Sequence, residues 1–214
     1  MKKRARKIHD YLFAQKDEFL SLLQFLVEEE TPSNEPSTFA TLMSRLIDEF
    51  KDLSFSVEEI EGDETAGQLL CKPANYDPEK PSQLILGHVD TVWELGTLEE
   101  MPFNIEDNIV SGPGIFDMKS GICMMVFAMR AIHQLGEVPS VQPIFVINSD
   151  EEIGSNESKP VFIEQAKKAE RTFVLEPALG TDGKIKTARK GIGLFEVGVK
   201  GKPSHAGLDP EQGV

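Results

Sequence analysis

Apolar residues first recur along the chain at helical spacing. Ile8, Tyr11, Leu12, Phe19, Leu22, Leu23 and Leu26 share one face and predict an opening amphipathic helix. Glu30-Thr31-Pro32-Ser33 stops it. Phe39, Leu42, Met43, Leu46 and Phe50 predict a second helix, with Ser37 or Thr38 as its N-cap. The rhythm then changes to that of strands. Phe55 and Val57 alternate with polar neighbours, residues 68–72 predict another strand, and the Pro- and charge-rich residues 75–82 predict a surface turn. Leu84-Ile85-Leu86 is an unbroken apolar run, as expected of a strand buried on both faces. Ile122, Met125, Val126, Met129 and Ile132 predict a buried helix over 121–135, closed by Gly136. A strand over 144–147, a helix over 158–169 and a strand over 173–175 follow.

Strands alternating with helices imply an α/β fold, a mostly parallel sheet with helices on both faces. The character changes after about residue 186. Phe195, Val197 and Val199 alternate with Glu196, Gly198 and Lys200, which predicts an open-faced strand. A loop over 201–207 follows, and no element closes this last stretch. It reads as the beginning of a second domain.

Composition narrows the function classes. A formal charge of −14 over 214 residues argues against a nucleic-acid surface, which needs a basic patch. The basic run Lys2, Lys3, Arg4, Arg6, Lys7 reads as a solvated helix start. No apolar stretch is long enough to span a bilayer, and His9 and Asp10 interrupt any signal-like apolar region near the start. Cys71 and Cys123 make neither a disulfide framework nor a CxxC pair, and Cys123 falls in an apolar helix as a buried thiol. These features together read as a cytoplasmic protein.

The chemistry gathers at the ends of the apolar runs. His88 and Asp90 follow the central strand, Asp117 precedes the buried helix, Glu151 and Glu152 follow the 144–147 strand, and Glu176 follows the last one. Each has an ordinary reading: an Asp at a helix start caps it, and an acidic pair in a loop is solvated. Together they fall at one edge of one sheet, where open α/β folds bind ligands. One imidazole among carboxylates suits a divalent cation such as zinc, manganese or cobalt. Of the adjacent pair Glu151 and Glu152, one can ligate while the other serves as general base. Asp90 can accept the second ring N–H of His88. His9 and His133 have no such company and read as structural or solvated.

Gly87-His88-Val89-Asp90-Thr91-Val92, Gly112-Pro113-Gly114 with Asp117-Met118-Lys119, Asp150-Glu151-Glu152-Ile153-Gly154-Ser155, Leu175-Glu176-Pro177 and Gly201-Lys202-Pro203-Ser204-His205-Ala206-Gly207 resemble, in order, the motifs of one zinc metallopeptidase family. It contains glutamate carboxypeptidases, acetylornithine deacetylases, succinyl-diaminopimelate desuccinylases and aminoacylases, and the glutamate carboxypeptidase branch is most similar. The resemblance implies a di-zinc exopeptidase fold, with residues 1–186 as the N-terminal part of a catalytic metallohydrolase domain. Residues 187–214 are then the start of an α+β lid and dimerisation domain, left incomplete. It also implies two divalent ions, zinc foremost with cobalt or manganese as alternatives. His88 and Glu176 would hold the first ion, Glu152 the second, and Asp117 would bridge them. Glu151 would be the general base, Asp90 would orient His88, and His205 would stabilise an oxyanion in the partner subunit's site. The Asp117–Met118 peptide bond is expected to be cis.

The implied function is hydrolysis of an amide bond in a small peptide or N-acyl amino acid, by a metal-activated water with Glu151 as base, in a homodimer. Two departures stand out. Ser120-Gly121 replaces a common Gly-Gly, and the sequence has no motif for the family's last His ligand. The expectation for these 214 residues alone is therefore an incomplete, inactive enzyme. The rival reading is a truncated, non-catalytic chain that keeps the fold as a binding or assembly module. The retained Glu151 speaks against it, because a scaffold needs no base beside the ligands.

Overall fold

The computed structural model describes residues 2–193, 195–198 and 200–213. The chain forms two compact units, Met1–Pro177 and Ala178–Val214. The first opens with helices α1 (Lys2–Ala14) and α2 (Lys16–Glu28). The sequence predicted one helix here. The break is local: Gln15 leaves helical geometry at φ −96°, ψ 18°, yet its N–H still reaches the Tyr11 and Leu12 carbonyls. Only α2 drives apolar residues into the core, namely Leu22, Leu23, Leu26 and Val27. A 3-10 turn at Pro36–Thr38 leads into α3 (Ala40–Asp52). The predicted Ser37 or Thr38 cap is not made. The turn carries the Thr38 hydroxyl back to the Glu35 carbonyl at 2.9 Å, and Phe39 takes the cap position without a side-chain bond.

Strands β1 (Phe55–Ile60), β2 (Gln68–Pro73) and β3 (Ser82–His88) follow, then a short helix α4 (Thr97–Glu100) and a small hairpin, β4 (Asn104–Glu106) with β5 (Ile109–Ser111). Helix α5 (Ser120–Gln134), strand β6 (Gln142–Asn148), helix α6 (Lys159–Lys168) and strand β7 (Arg171–Val174) complete the unit. The main sheet has the order β1-β2-β6-β3-β7. Parallel pairing joins β6, β3 and β7, while the β1–β2 hairpin and its junction with β6 are antiparallel. The fold is α/β as expected, with a mixed sheet, because a short hairpin can only return antiparallel.

Successive side chains of a strand point to opposite faces, and the apolar runs use both. Phe145 and Ile147 of β6 and Ile85 of β3 join the core made with α2, α3 and α5. Ile144 and Val146, with Leu84 and Leu70, form the other core, which α6 covers through Val161 and Phe162. Helix α5 lies close over the end of β3. A Cβ on Gly87 would meet the Met125, Ile122 and Met118 side chains at 2.5–2.9 Å, and one on Gly121 would meet the Leu175 carbonyl at 2.2 Å. Glycine at 121 is therefore demanded by the chain leaving β7, while Ser120 at the first helical position meets no such restriction. The helix ends as its sequence predicts, with Gly136 at φ +62° and the Glu137 N–H on the Ile132 carbonyl.

In the second unit, Leu179 and Lys184 exchange backbone hydrogen bonds of 2.9 and 3.2 Å around a tight turn, and Pro210–Gln212 form a 3-10 turn. The strand predicted from Phe195 onward is not formed at residues 195–198, and Val199 lies outside the described residues. Phe195 and Val197 are exposed. Alternation makes a strand only where a partner pairs its backbone, and these residues have none among those described.

Candidate metal centre

The parallel strands β3, β6 and β7 run the same way, so their carboxyl ends lie along one rim. His88 is the last residue of β3, and the Glu151/Glu152 loop and Glu176 follow β6 and β7 within a few residues. Asp117 joins them from the turn before α5, where the Asp117–Met118 peptide bond is cis, as the resemblance implies. The His88 Nε2 atom lies 3.1 Å from Asp117 Oδ1, 3.3 Å from Glu176 Oε1 and 4.0 Å from Glu151 Oε2. Donor atoms of His88, Glu151 and Glu176 fall within 4.8 Å of one another, as do those of His88, Asp117 and Glu152. One imidazole nitrogen thus faces carboxylates from three further segments.

The other ring nitrogen is held from below. His88 Nδ1 is 3.0 Å from the Asp90 main-chain oxygen and 3.3 Å from its Oδ1. The backbone carbonyl is therefore the nearer acceptor, although the sequence had pointed to the carboxylate. The Asp90 side chain is free to do more. Its Oδ1 accepts the Glu151 N–H at 3.2 Å, and its Oδ2 accepts the Glu152 N–H at 3.1 Å and the Ser33 hydroxyl at 2.7 Å. Asp90 is fully buried. Burial works against its charge, but the bonds from His88 and Ser33 outweigh it and hold the carboxyl below its usual range.

Electrostatics at the rim is strained in one direction. Burial raises the carboxyls of Asp117, Glu151 and Glu152, and neighbouring carboxylates add to the effect in each case, against the pull of His88. Burial opposes a charge on His88, yet the bonds to Asp90 and Glu176 push its imidazole up to about 11. A centre where several carboxylates crowd one imidazole binds positive charge. The donor set of one nitrogen and several carboxylate oxygens fits a divalent cation of the zinc, manganese or cobalt kind.

Several supporting residues were not legible as functional in the sequence. Thr31, Pro32 and Ser33 read only as a helix stop, but they pair with the extension of β3. The Thr31 hydroxyl donates to the Val89 carbonyl at 2.6 Å, and the Thr91 N–H donates to the Thr31 carbonyl at 2.9 Å. Asp150 fastens the loop that carries Glu151 and Glu152, since its carboxylate accepts from Asn148 Nδ2 and from the Glu157 and Ser158 N–H groups at 2.9–3.1 Å. Lys119 is buried, donates to the Glu29 carbonyl at 2.8 Å and is pushed by burial down to about 7. His205 belongs to the second unit, where its Nδ1 accepts the Gly207 N–H at 3.1 Å. His9 and His133 are exposed.

Residues 84–206, which span the rim, match the sequence profile of "Peptidase family M20/M25/M40". Carboxypeptidase G2 of Pseudomonas sp. (strain RS-16) is 31% identical over 201 residues, which are 91% of this chain and 47% of that protein. Succinyl-diaminopimelate desuccinylase 2 of Shewanella loihica (strain ATCC BAA-1088 / PV-4) is 31% identical over 143 residues, 62% of this chain and 38% of that one. The chain thus spans about half the length, or less, of the curated relatives it matches. Among solved structures, human carnosine dipeptidase 1 superposes with a TM-score of 0.70 at 18% identity, covering 81% of this chain and 41% of that one. An M20 family metallo-carboxypeptidase, Sso-CP2 from Sulfolobus solfataricus, gives 0.62 at 17%, covering 78% and 39%. These two likenesses are of fold. With the profile over more than half the chain and a carboxypeptidase at this identity, the chain belongs to peptidase family M20/M25/M40.

Proposed function

We propose that the chain carries the metal-holding half of a hydrolase that cleaves the amide bond of a small peptide or N-acyl amino acid, in the manner of a carboxypeptidase or deacylase. The observation that carries this reading is the convergence of Asp117, Glu151 and Glu176 oxygens on His88 Nε2 at 3.1–4.0 Å. His88, Asp117, Glu152 and Glu176 would hold the divalent ions, zinc foremost, and Asp90 would keep His88 and the Glu151/Glu152 loop in place. Ions held there would polarise the amide carbonyl and lower the pKa of water. Glu151 would do the proton transfer. Its side chain remains about half open to solvent, and its carboxyl is raised by burial and by its acidic neighbours, toward the value a base needs near neutrality. It would accept the proton of the attacking water and return it to the nitrogen of the leaving amine. His205 would steady the oxyanion in the partner subunit's site, from a lid unit that pairs two subunits.

Metal binding and turnover test the reading in one preparation. The protein is dialysed against zinc or cobalt and its metal content measured, then assayed on a panel of N-acyl amino acids and dipeptides. His88→Ala is expected to lose the metal. Glu151→Gln is expected to keep it while any hydrolysis falls about 10²–10⁴-fold. One observation favours a second role for Glu151: it groups with His88 and Glu176 closely enough to be a ligand itself. Loss of metal in Glu151→Gln would establish that role. A parent chain that binds no divalent metal would end the hydrolase reading and leave that of an assembly module.

A further inference from the structure

We infer that Ser33 is a positioning residue for the metal centre, acting through Asp90; the inference rests on the metal reading above. Ser33 lies on the connection between α2 and α3, 57 residues from Asp90 in sequence, and is 6% exposed. Its hydroxyl donates to Asp90 Oδ2 at 2.7 Å, the shortest polar contact of that carboxylate. Two further donors are the N–H groups of Glu151 and Glu152, the adjacent residues proposed as base and ligand, and His88 Nδ1 approaches Oδ1 at 3.3 Å. A carboxylate turns readily about its last torsion, so its plane is set by where its donors stand. Two of those donors belong to the very loop that the carboxylate has to place. On Oδ2, Ser33 supplies the reference from outside that loop.

That reference is rigid. The Ser33 N–H reaches the Thr91 carbonyl at 3.4 Å and the Thr91 N–H donates to the Thr31 carbonyl at 2.9 Å, so backbone bonds hold this connection against the extension of β3. Asp90 is fully buried and Ser33 nearly so. Without Ser33, Oδ2 keeps only the Glu152 N–H. The carboxylate can then rotate, and the loop with Glu151 and Glu152 is held less firmly to the segment that carries His88. Among the described residues the Ser33 side chain is hydrogen-bonded to Asp90 alone of the groups around the centre. Its effect on the centre runs only through Asp90.

The test compares the 214-residue chain with Ser33→Ala, Ser33→Thr and Thr31→Val, reading cobalt affinity by equilibrium dialysis and ligand geometry by the visible spectrum of bound cobalt. Loss of a residue that orients ligands typically weakens metal binding by about 10–100-fold. Ser33→Ala is expected to show a loss of that size with altered cobalt bands, and Ser33→Thr, which keeps the hydroxyl, to restore both. Thr31→Val removes a buried hydrogen bond from the same connection without touching Asp90. It is expected to melt earlier and bind cobalt as the parent does. The inference is overturned if Ser33→Ala matches the parent in affinity and spectrum, if Thr31→Val shifts them equally, or if Ser33→Ala unfolds outright, which would make the residue structural. A parent chain without cobalt binding would overturn the metal reading and this inference together, whereas binding by the parent with an unchanged Ser33→Ala overturns this one alone.

Discussion

His88, Asp117, Glu151, Glu152 and Glu176 could be picked out from the sequence because each is a polar residue that abruptly ends or interrupts an apolar run. Ser33 could not, because a serine after a proline at a helix end is ordinary turn chemistry. Its partner is remote in sequence, and no local pattern announces a hydrogen bond of that reach. Gly121 lies between these cases. The sequence shows a glycine at a helix start, and only the structure shows the Leu175 carbonyl where a Cβ would go. Gly121→Ala should therefore force the helix away from the residue preceding Glu176. The expected cost is about 1–3 kcal/mol, the usual range for overpacking, with weaker cobalt retention as well. Ser120→Gly, one residue earlier, should leave both nearly unchanged. Urea denaturation with and without cobalt separates the two variants.

At the scale of elements, strongly periodic segments were legible and irregular ones were not. The two core strands β3 and β6 and helix α5 lie where their apolar patterns place them, to within about two residues. The β4–β5 hairpin was missed because its strands are three residues each, although Asp107-Asn108, both at positive φ, are turn residues that mark it. The contact between the β1–β2 connection and the loop after β6 was also invisible. Glu157 makes it, accepting from Asp63 N–H at 3.1 Å, Glu64 N–H at 2.8 Å and the Thr65 hydroxyl at 2.7 Å. The Thr65 and Glu64 bonds hold the Glu157 carboxyl below its ordinary value. A depressed carboxyl stabilises above its unfolded pKa, and the contribution disappears as pH falls through the folded value. The connection should therefore detach in acid, below the usual glutamate range of about 4.3. Chemical shifts of the Asp63 and Glu64 amides followed against pH should report it, and Glu157→Gln should flatten that titration.

For the whole molecule, the sheet is unevenly finished. Strand β7 pairs with β3 on one side only among the described residues, and all four of its residues are exposed, Phe173 at 46% and Val174 at 55%. An open edge carrying apolar side chains invites pairing with another chain. Self-association that grows with concentration is expected in size-exclusion chromatography, and Phe173→Lys should reduce it. Both three-residue donor groups at the rim draw on the same His88. One tightly held ion per chain is therefore expected after dialysis, with little hydrolysis. Elemental analysis showing two retained ions would mean that a further ligand completes the centre.

The reach of the Asp90 hub also has a consequence in time. Its bonds to Ser33, Glu151 and Glu152 join positions 57, 61 and 62 residues apart. Contacts of such separation form only after much of the intervening chain has closed, which makes them late events in folding. The ion cannot meet its full set of ligands before that closure. Uptake of cobalt during refolding should then lag behind the appearance of helix, and follow the slowest change in circular dichroism. A stopped-flow record in which the cobalt bands rise with the earliest helical signal would show that the centre is a local nucleus. If they rise last, the bound metal marks completion of the sheet.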